Sequence, residues 1–318
     1  MNFSMVKFRL SMLISLALII GATTLILLII LTLMGVESIL LLGLLVVGIN
    51  VLEWLFAPKL IDRMYKTREL GPGDPLEIKE IVAKIALKAN ISQPKLVIAE
   101  TDLPNAFAYG SPLTGNKVAV TRGLISILNY DEIEAVLGHE LGHLKHRDVQ
   151  IMMIVSMLPA VLYFISFSLF FSSMAGSRQN NGLVALIGIL SFIGYIIINL
   201  LVLGYNRMRE SYADRHSVSV VDNGARKLSS ALAKIYTYSA RMGNRNRAKK
   251  GPNANSSFRG LFIVDPSSIN VDDLKALNGE ELIQSIVNRK LSLTDRLMEI
   301  MSTHPNIIKR IRTLESYK

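Results

Sequence analysis

The chain contains no cysteine. That absence excludes disulfides, thiolate metal ligands and a cysteine nucleophile together, and it suits a chain kept in a reducing compartment. Charge is also missing from long stretches: residues 11–34, 38–52, 151–175 and 183–206 hold no Asp, Glu, Lys or Arg. There is no internal repeat. Aromatic and basic residues are not interleaved as in a nucleic-acid module, so the net charge of +10 gives no ground for a nucleic-acid partner.

What is present is apolar and concentrated. Half of the 318 residues are hydrophobic and the mean hydropathy is +0.38, so part of that surface is expected to face lipid. A hydrocarbon core of about 30 Å takes roughly 20 apolar helical residues, and the four charge-free runs predict four membrane spans. The second run is the shortest and needs part of Gly35 to Phe56 to cross. The first is too long for a signal-peptide core and has no small-residue cleavage site after it, so it reads as retained. Lys7 and Arg9 precede span one, Lys59, Arg63, Lys66 and Arg68 follow span two, and Arg207, Arg209 and Arg215 follow span four. Basic residues mark cytoplasmic ends. The expectation is therefore a mainly α multi-pass protein of the cell (plasma) membrane, with both termini and the catalytic domain cytoplasmic and the lipid bilayer as a partner.

Four segments follow from this. Residues 1–56 form a transmembrane hairpin, 57–150 a first cytoplasmic segment, 151–206 a second hairpin, and 207–318 a second cytoplasmic segment. Gly71-Pro72-Gly73-Asp74-Pro75 reads as a turn, and residues 76–90 as a helix with Ile78, Ile81, Val82 and Ile85 on one side. Residues 95–100 and 117–121 read as short strands of a small sheet, as does LFIVD at 261–265. A helix begins near Asp131, with Asp131 and Glu134 spaced as a capping box. The stretch 241–260 is basic, holds glycines and asparagines, and has no apolar period; it is expected to be a mobile loop, either solvated or touching anionic headgroups.

The chemistry sits in His139-Glu140-Leu141-Gly142-His143. Residues four apart lie on one helical face, so both imidazoles can bind one ion, and this pattern is that of zinc hydrolases. Glu140, beside the first histidine, is placed to take a proton from the attacking water. A catalytic zinc site needs a third protein ligand. The metzincin pattern would put glycine and histidine three and six residues after His143, but those positions hold His146 and Val149. A carboxylate from a second helix is the alternative. Glu210 and Asp214 are four apart just beyond span four, so Glu210 is assigned as the third ligand and Asp214 as the acceptor orienting a ligating histidine. The competing reading is a solvated helix on which Arg209 and Arg215 pair with these acids. The entering and leaving helices of the hairpin 151–206 should emerge side by side and bring His143 to Glu210. His146, three past His143, is expected to support the ligands or contact Asp148, and His216 to be exposed.

HELGH leading into a membrane hairpin, followed by RESYAD, resembles the HtpX-type membrane metalloproteases, relatives of the CAAX prenyl endopeptidases. The resemblance covers nearly the whole chain. It implies one Zn2+ ion per chain on His139, His143 and Glu210. It further implies that Asn105, Ala106 and Phe107 match an edge of the cleft that holds substrate backbone; read alone they are a loop entering a turn. Ser302-Thr303-His304-Pro305 and Arg310 resemble a late polar motif near the cleft, implying His304 or Arg310 as a group that stabilises the oxyanion. The function implied is a membrane-bound zinc endopeptidase acting on membrane or membrane-proximal proteins in quality control. A prenyl-protein processing protease, which needs a larger intramembrane chamber, and a non-enzymatic membrane scaffold with a metal site are the alternatives.

Overall fold

A computed structural model describes residues 39–175, 181–250 and 279–317. The expected span at 11–34 and the strand at 261–265 lie outside the described residues. Among the described residues, the protein is mainly helical with one small mixed sheet.

Helix α1 (Ile39–Tyr65) carries the second expected span, but it does not stop near residue 56. It continues past Pro58 because its last turns are tied to the sheet. Tyr109 Oη donates to Asp62 Oδ1 (2.5 Å), Lys117 Nζ reaches Asp62 Oδ2 (2.6 Å), and Ser111 Oγ donates to the Leu55 carbonyl. Three described helices hold segments long and apolar enough to cross a membrane: Gly43–Tyr65, Asp148–Met174 and Gly182–Val220.

The sheet comprises β1 (Arg68–Glu69), β2 (Lys95–Ala99), β3 (Ala106–Ser111) and β4 (Gly115–Thr121) in the order β1-β2-β4-β3. Strands β2 and β4 are parallel and the other pairs antiparallel. Strand β3, read from sequence as loop, is an edge strand; its run Ala-Phe-Ala-Tyr-Gly-Ser has weak strand propensity, and its pairing with β4 from Ala106↔Val120 to Ser111↔Gly115 makes it one. Helix α2 (Glu77–Ala89) buries Ile78, Val82, Ile85, Ala86 and Ala89 against the sheet and ends where Asn90 turns left-handed (φ 55°).

After the short α3 (Arg122–Ile127), helix α4 (Tyr130–Lys145) carries the HExxH pattern through the centre of the core. Its cap differs from expectation. Asn129, not Asp131, is the N-cap: its side chain accepts from the Glu132 amide while Glu132 accepts from the Asn129 amide. Glu134 instead binds Lys84 and Lys227, and Asp131 pairs with Lys227. Ile133, Leu137 and Leu141 are fully buried along this helix. Arg147, at φ 55°, breaks the helix before α5 (Asp148–Ala175).

Helix α6 (Asn181–Val220) is continuous for 40 residues, about 60 Å, so span four and Glu210 share one rigid rod. Helix α7 (Gly224–Lys250) runs through the first half of the stretch expected to be a loop. Residues 241–250 are helical, and residues 251–260 lie outside the described residues. Helices α8 (Gly279–Val287), α9 (Leu293–Ile300) and α10 (Ile307–Glu315) complete the chain, with Ile283, Ile308 and Ile311 packed against Ala233 and Tyr236 of α7.

Candidate metal centre

Two glycines bring the site together. A Cβ on Gly138 would lie 2.9 Å from Val221 Cγ2, and one on Gly142 would lie 3.1 Å from the Cβ of His216. Four residues apart, they let α4 approach α6 closely. The approach is locked by Ser217 Oγ donating to the Ala135 carbonyl (2.6 Å) and by His216 Nδ1 on the Gly138 carbonyl (3.0 Å). His216 is therefore buried, contrary to expectation, because the small residues of α4 leave room for its ring.

Across this contact His139, His143 and Glu210 meet. The two Nε2 atoms are 3.3 Å apart; His139 Nε2 is 3.6 Å from Glu210 Oε2, and His143 Nε2 is 3.5 Å from Glu210 Oε1. Zinc-to-nitrogen bonds of about 2.0–2.1 Å in tetrahedral geometry imply ligand separations of about 3.3–3.4 Å. The three groups thus match one face of such a tetrahedron, and the donor set fits the ion implied by the sequence.

The remote nitrogens are held as well. His143 Nδ1 is 2.6 Å from Asp148 Oδ2, and His139 Nδ1 is 2.9 Å from Asp214 Oδ1. Burial disfavours a cation at His139, but Asp214 and Glu210 outweigh it and push the imidazole up to about 9 when no ion competes with the proton. Arg310 is itself buried: its Nε and Nη2 bind Asp214 at 2.9 and 2.6 Å, and Nη1 lies 3.2 Å from Glu210 Oε2. Its guanidinium thus offsets part of the charge of the two carboxylates. His304 Nδ1 lies 3.0 Å from Glu210 Oε2.

Glu140 points the other way, accepting the Ala108 amide of β3 at 3.1 Å through Oε2. Asn105 and Ala106 line a cavity with His139 and Glu140, walled by Val136, Leu228, Leu232, Ile235, Tyr236, Ile307 and Arg310. Phe107 is not among the residues lining that cavity; its ring packs at a tilt between Tyr65 (4.7 Å) and Tyr109 (5.5 Å). His146 caps α4 and faces the rings of Tyr212 and His216 rather than the three ligands.

Asp148 is the site residue that sequence reading placed on the wrong partner. Its position five residues after His143, just beyond a left-handed Arg147, allows it to fold back on that ring; a carboxylate opening the next helix was the available signal.

Comparison with known proteins identifies the family. Residues 73–318 match the model of Peptidase family M48. The chain is 39% identical over 271 residues to a protein named Protease HtpX homolog from Thermoplasma acidophilum, covering 85% of this chain and 82% of that one. It is 38% identical over 289 residues to Protease HtpX homolog 2 from Saccharolobus solfataricus, covering 88% and 86%. The crystal structure of S. mikatae Ste24p shares the fold at a TM-score of 0.57 and 16% identity, over 97% of this chain and 66% of that one. The chain belongs to Peptidase family M48 and is a membrane metalloprotease.

Proposed function

We propose that the protein is a zinc endopeptidase holding one ion per chain between His139, His143 and Glu210, and that it cuts membrane-proximal protein segments in quality control. The observation that carries the reading is the set of ligand separations, 3.3, 3.5 and 3.6 Å, in a buried pocket behind an edge strand. Zinc bound there would supply Lewis acidity toward a peptide carbonyl and lower the pKa of a water molecule.

The rest falls to the protein. Asp148 accepts from His143 Nδ1, and the Asp214 carboxylate beside His139 Nδ1 favours the proton on that nitrogen, leaving each Nε2 as a donor of electrons to the ion. Glu140 is the base that takes a proton from water and returns it to the leaving amine; the Ala108 amide anchors one of its oxygens and leaves the other for the proton. An extended peptide would pair with the open edge of β3, placing its backbone past Asn105 and Ala106 toward Glu140. His304, oriented by Glu210, is assigned to the carbonyl oxygen as charge develops there. Arg310, which lines the same cavity, offsets part of the charge of Glu210 and Asp214.

The distribution of Lys and Arg supports four spans with both termini and the catalytic segments on the cytoplasmic side of the cell membrane. Glu140→Gln tests the mechanism: zinc content should stay at one per chain while cleavage of casein falls by about 10²–10⁴-fold. A Gln variant of undiminished activity would remove Glu140 from the reaction.

A further inference from the structure

Helix α9 is built inside out. Its acids point inward: Asp295 and Glu299 are buried, Asp295 in the capping box with Ser292, and Glu299 accepting from the Asn306 amide and Lys309. Its large apolar side chains point outward, with Leu293 76%, Leu297 64%, Ile300 48% and Met301 77% exposed. Positions 293, 297, 300 and 301 fall within about 100° on a helical projection, so they form one continuous stripe. Among the described residues nothing covers it. A soluble helix of this length normally shows the reverse pattern, and an apolar stripe left open marks a surface that meets an apolar partner.

The location of α9 says which partner. Arg207, the first charge after the apolar run of span four, donates through Nη1 to the carbonyls of Glu299, Ile300 and Ser302 at 3.0, 2.9 and 2.9 Å. The C-terminal end of α9 is thus tied to α6 at the level where that helix leaves its apolar run. Met208, the next residue along α6, and Tyr212, one turn beyond it, are exposed as well, so the apolar surface continues from the span past this level. Lys290 and Arg296 are exposed at the flanks of α9, suited to anionic headgroups.

We infer that α9 is an interfacial helix that lies in the bilayer surface, with Leu293, Leu297, Ile300 and Met301 among the acyl chains. The inference rests on α6 crossing the bilayer and is independent of the roles assigned at the metal centre. It has a structural consequence: α9 leads directly into the loop that carries His304, so lipid contact supports the wall of the active site.

The absence of cysteine makes the test direct, because one introduced thiol carries one label. The full chain is reconstituted in phosphatidylcholine–phosphatidylglycerol vesicles as Leu297→Cys, with Leu201→Cys in span four as lipid reference and Asp222→Cys as water reference, each bearing an environment-sensitive fluorophore. Brominated phosphatidylcholine should quench the label at 297 roughly twofold, as at 201, with little effect at 222, because an interfacial helix buries its face about 5–10 Å deep. Quenching at 297 by aqueous iodide but not by brominated lipid would overturn the inference. Protection from both quenchers would overturn it too, assigning the stripe to a second copy or another segment of this chain.

Discussion

His143 Nδ1 and Asp148 Oδ2 lie 2.6 Å apart across the break between α4 and α5. The contact ties the ligand helix to the start of the next membrane helix, and Arg209 of α6 reaches the same carboxylate at 3.2 Å. Asp148→Ala frees the His143 ring and should weaken metal binding about 10–100-fold, the usual cost of losing such a partner. Asp148→Asn, which keeps an acceptor, should lose less. Competition with a chelator of known affinity measures both; equal affinity in wild type and the Ala variant would make the contact incidental.

The metal-free protein should bind zinc with a marked pH dependence. With His139 held up to about 9 by Asp214 and Glu210 against the effect of burial, its proton must leave before Nε2 can bind an ion. The apparent association constant should therefore rise with pH, by about tenfold per unit for this one proton, and level off above about pH 9. Asp214→Asn weakens the hold on the proton and should shift that plateau to lower pH. Zinc titration across pH 6–10 reads both; an unmoved plateau would detach Asp214 from His139.

Arg310→Met removes the guanidinium bound directly to both Glu210 and Asp214, and leaves two buried carboxylates short of a positive charge. Breaking a buried pair of this kind costs about 3–5 kcal/mol. The loss should be largest without metal and smaller with zinc bound, since the ion offsets part of the charge. Thermal unfolding of both forms shows it. A variant as stable as wild type that has a lowered kcat would instead give Arg310 the oxyanion role implied by the resemblance.

Gly142→Val inserts atoms where even a Cβ would sit 3.1 Å from His216 Cβ and Nδ1. Overpacking of this degree costs about 1–3 kcal/mol, and here it also pushes α4 away from α6. Metal affinity should fall together with stability, because the ligands come from those two helices. A variant destabilised yet with unchanged zinc affinity would show that the closeness of the helices does not set the site.

Much of this was legible in local spacing. Two histidines and a glutamate within five residues share a helix by its 3.6-residue period, so the closeness of the two imidazoles follows from sequence. The charge-free runs likewise specify helices, since lipid-facing backbone must satisfy its own hydrogen bonds. Glu210 was reachable because a hairpin returns its second helix to the level of the first.

Other features depend on contacts that no local pattern contains. Strand β3 is a strand because β4 pairs with it, α1 continues because the sheet holds Asp62, and His216 is buried because Gly138 and Gly142 leave it room. The partner of His143 turned on a single left-handed residue, Arg147, which swings Asp148 back toward the ring. Sequence thus determined which side chains share a face of one helix, since that depends on backbone geometry alone. Only the tertiary structure decided which faces meet and at what distance, since that depends on how closely two helices can pack.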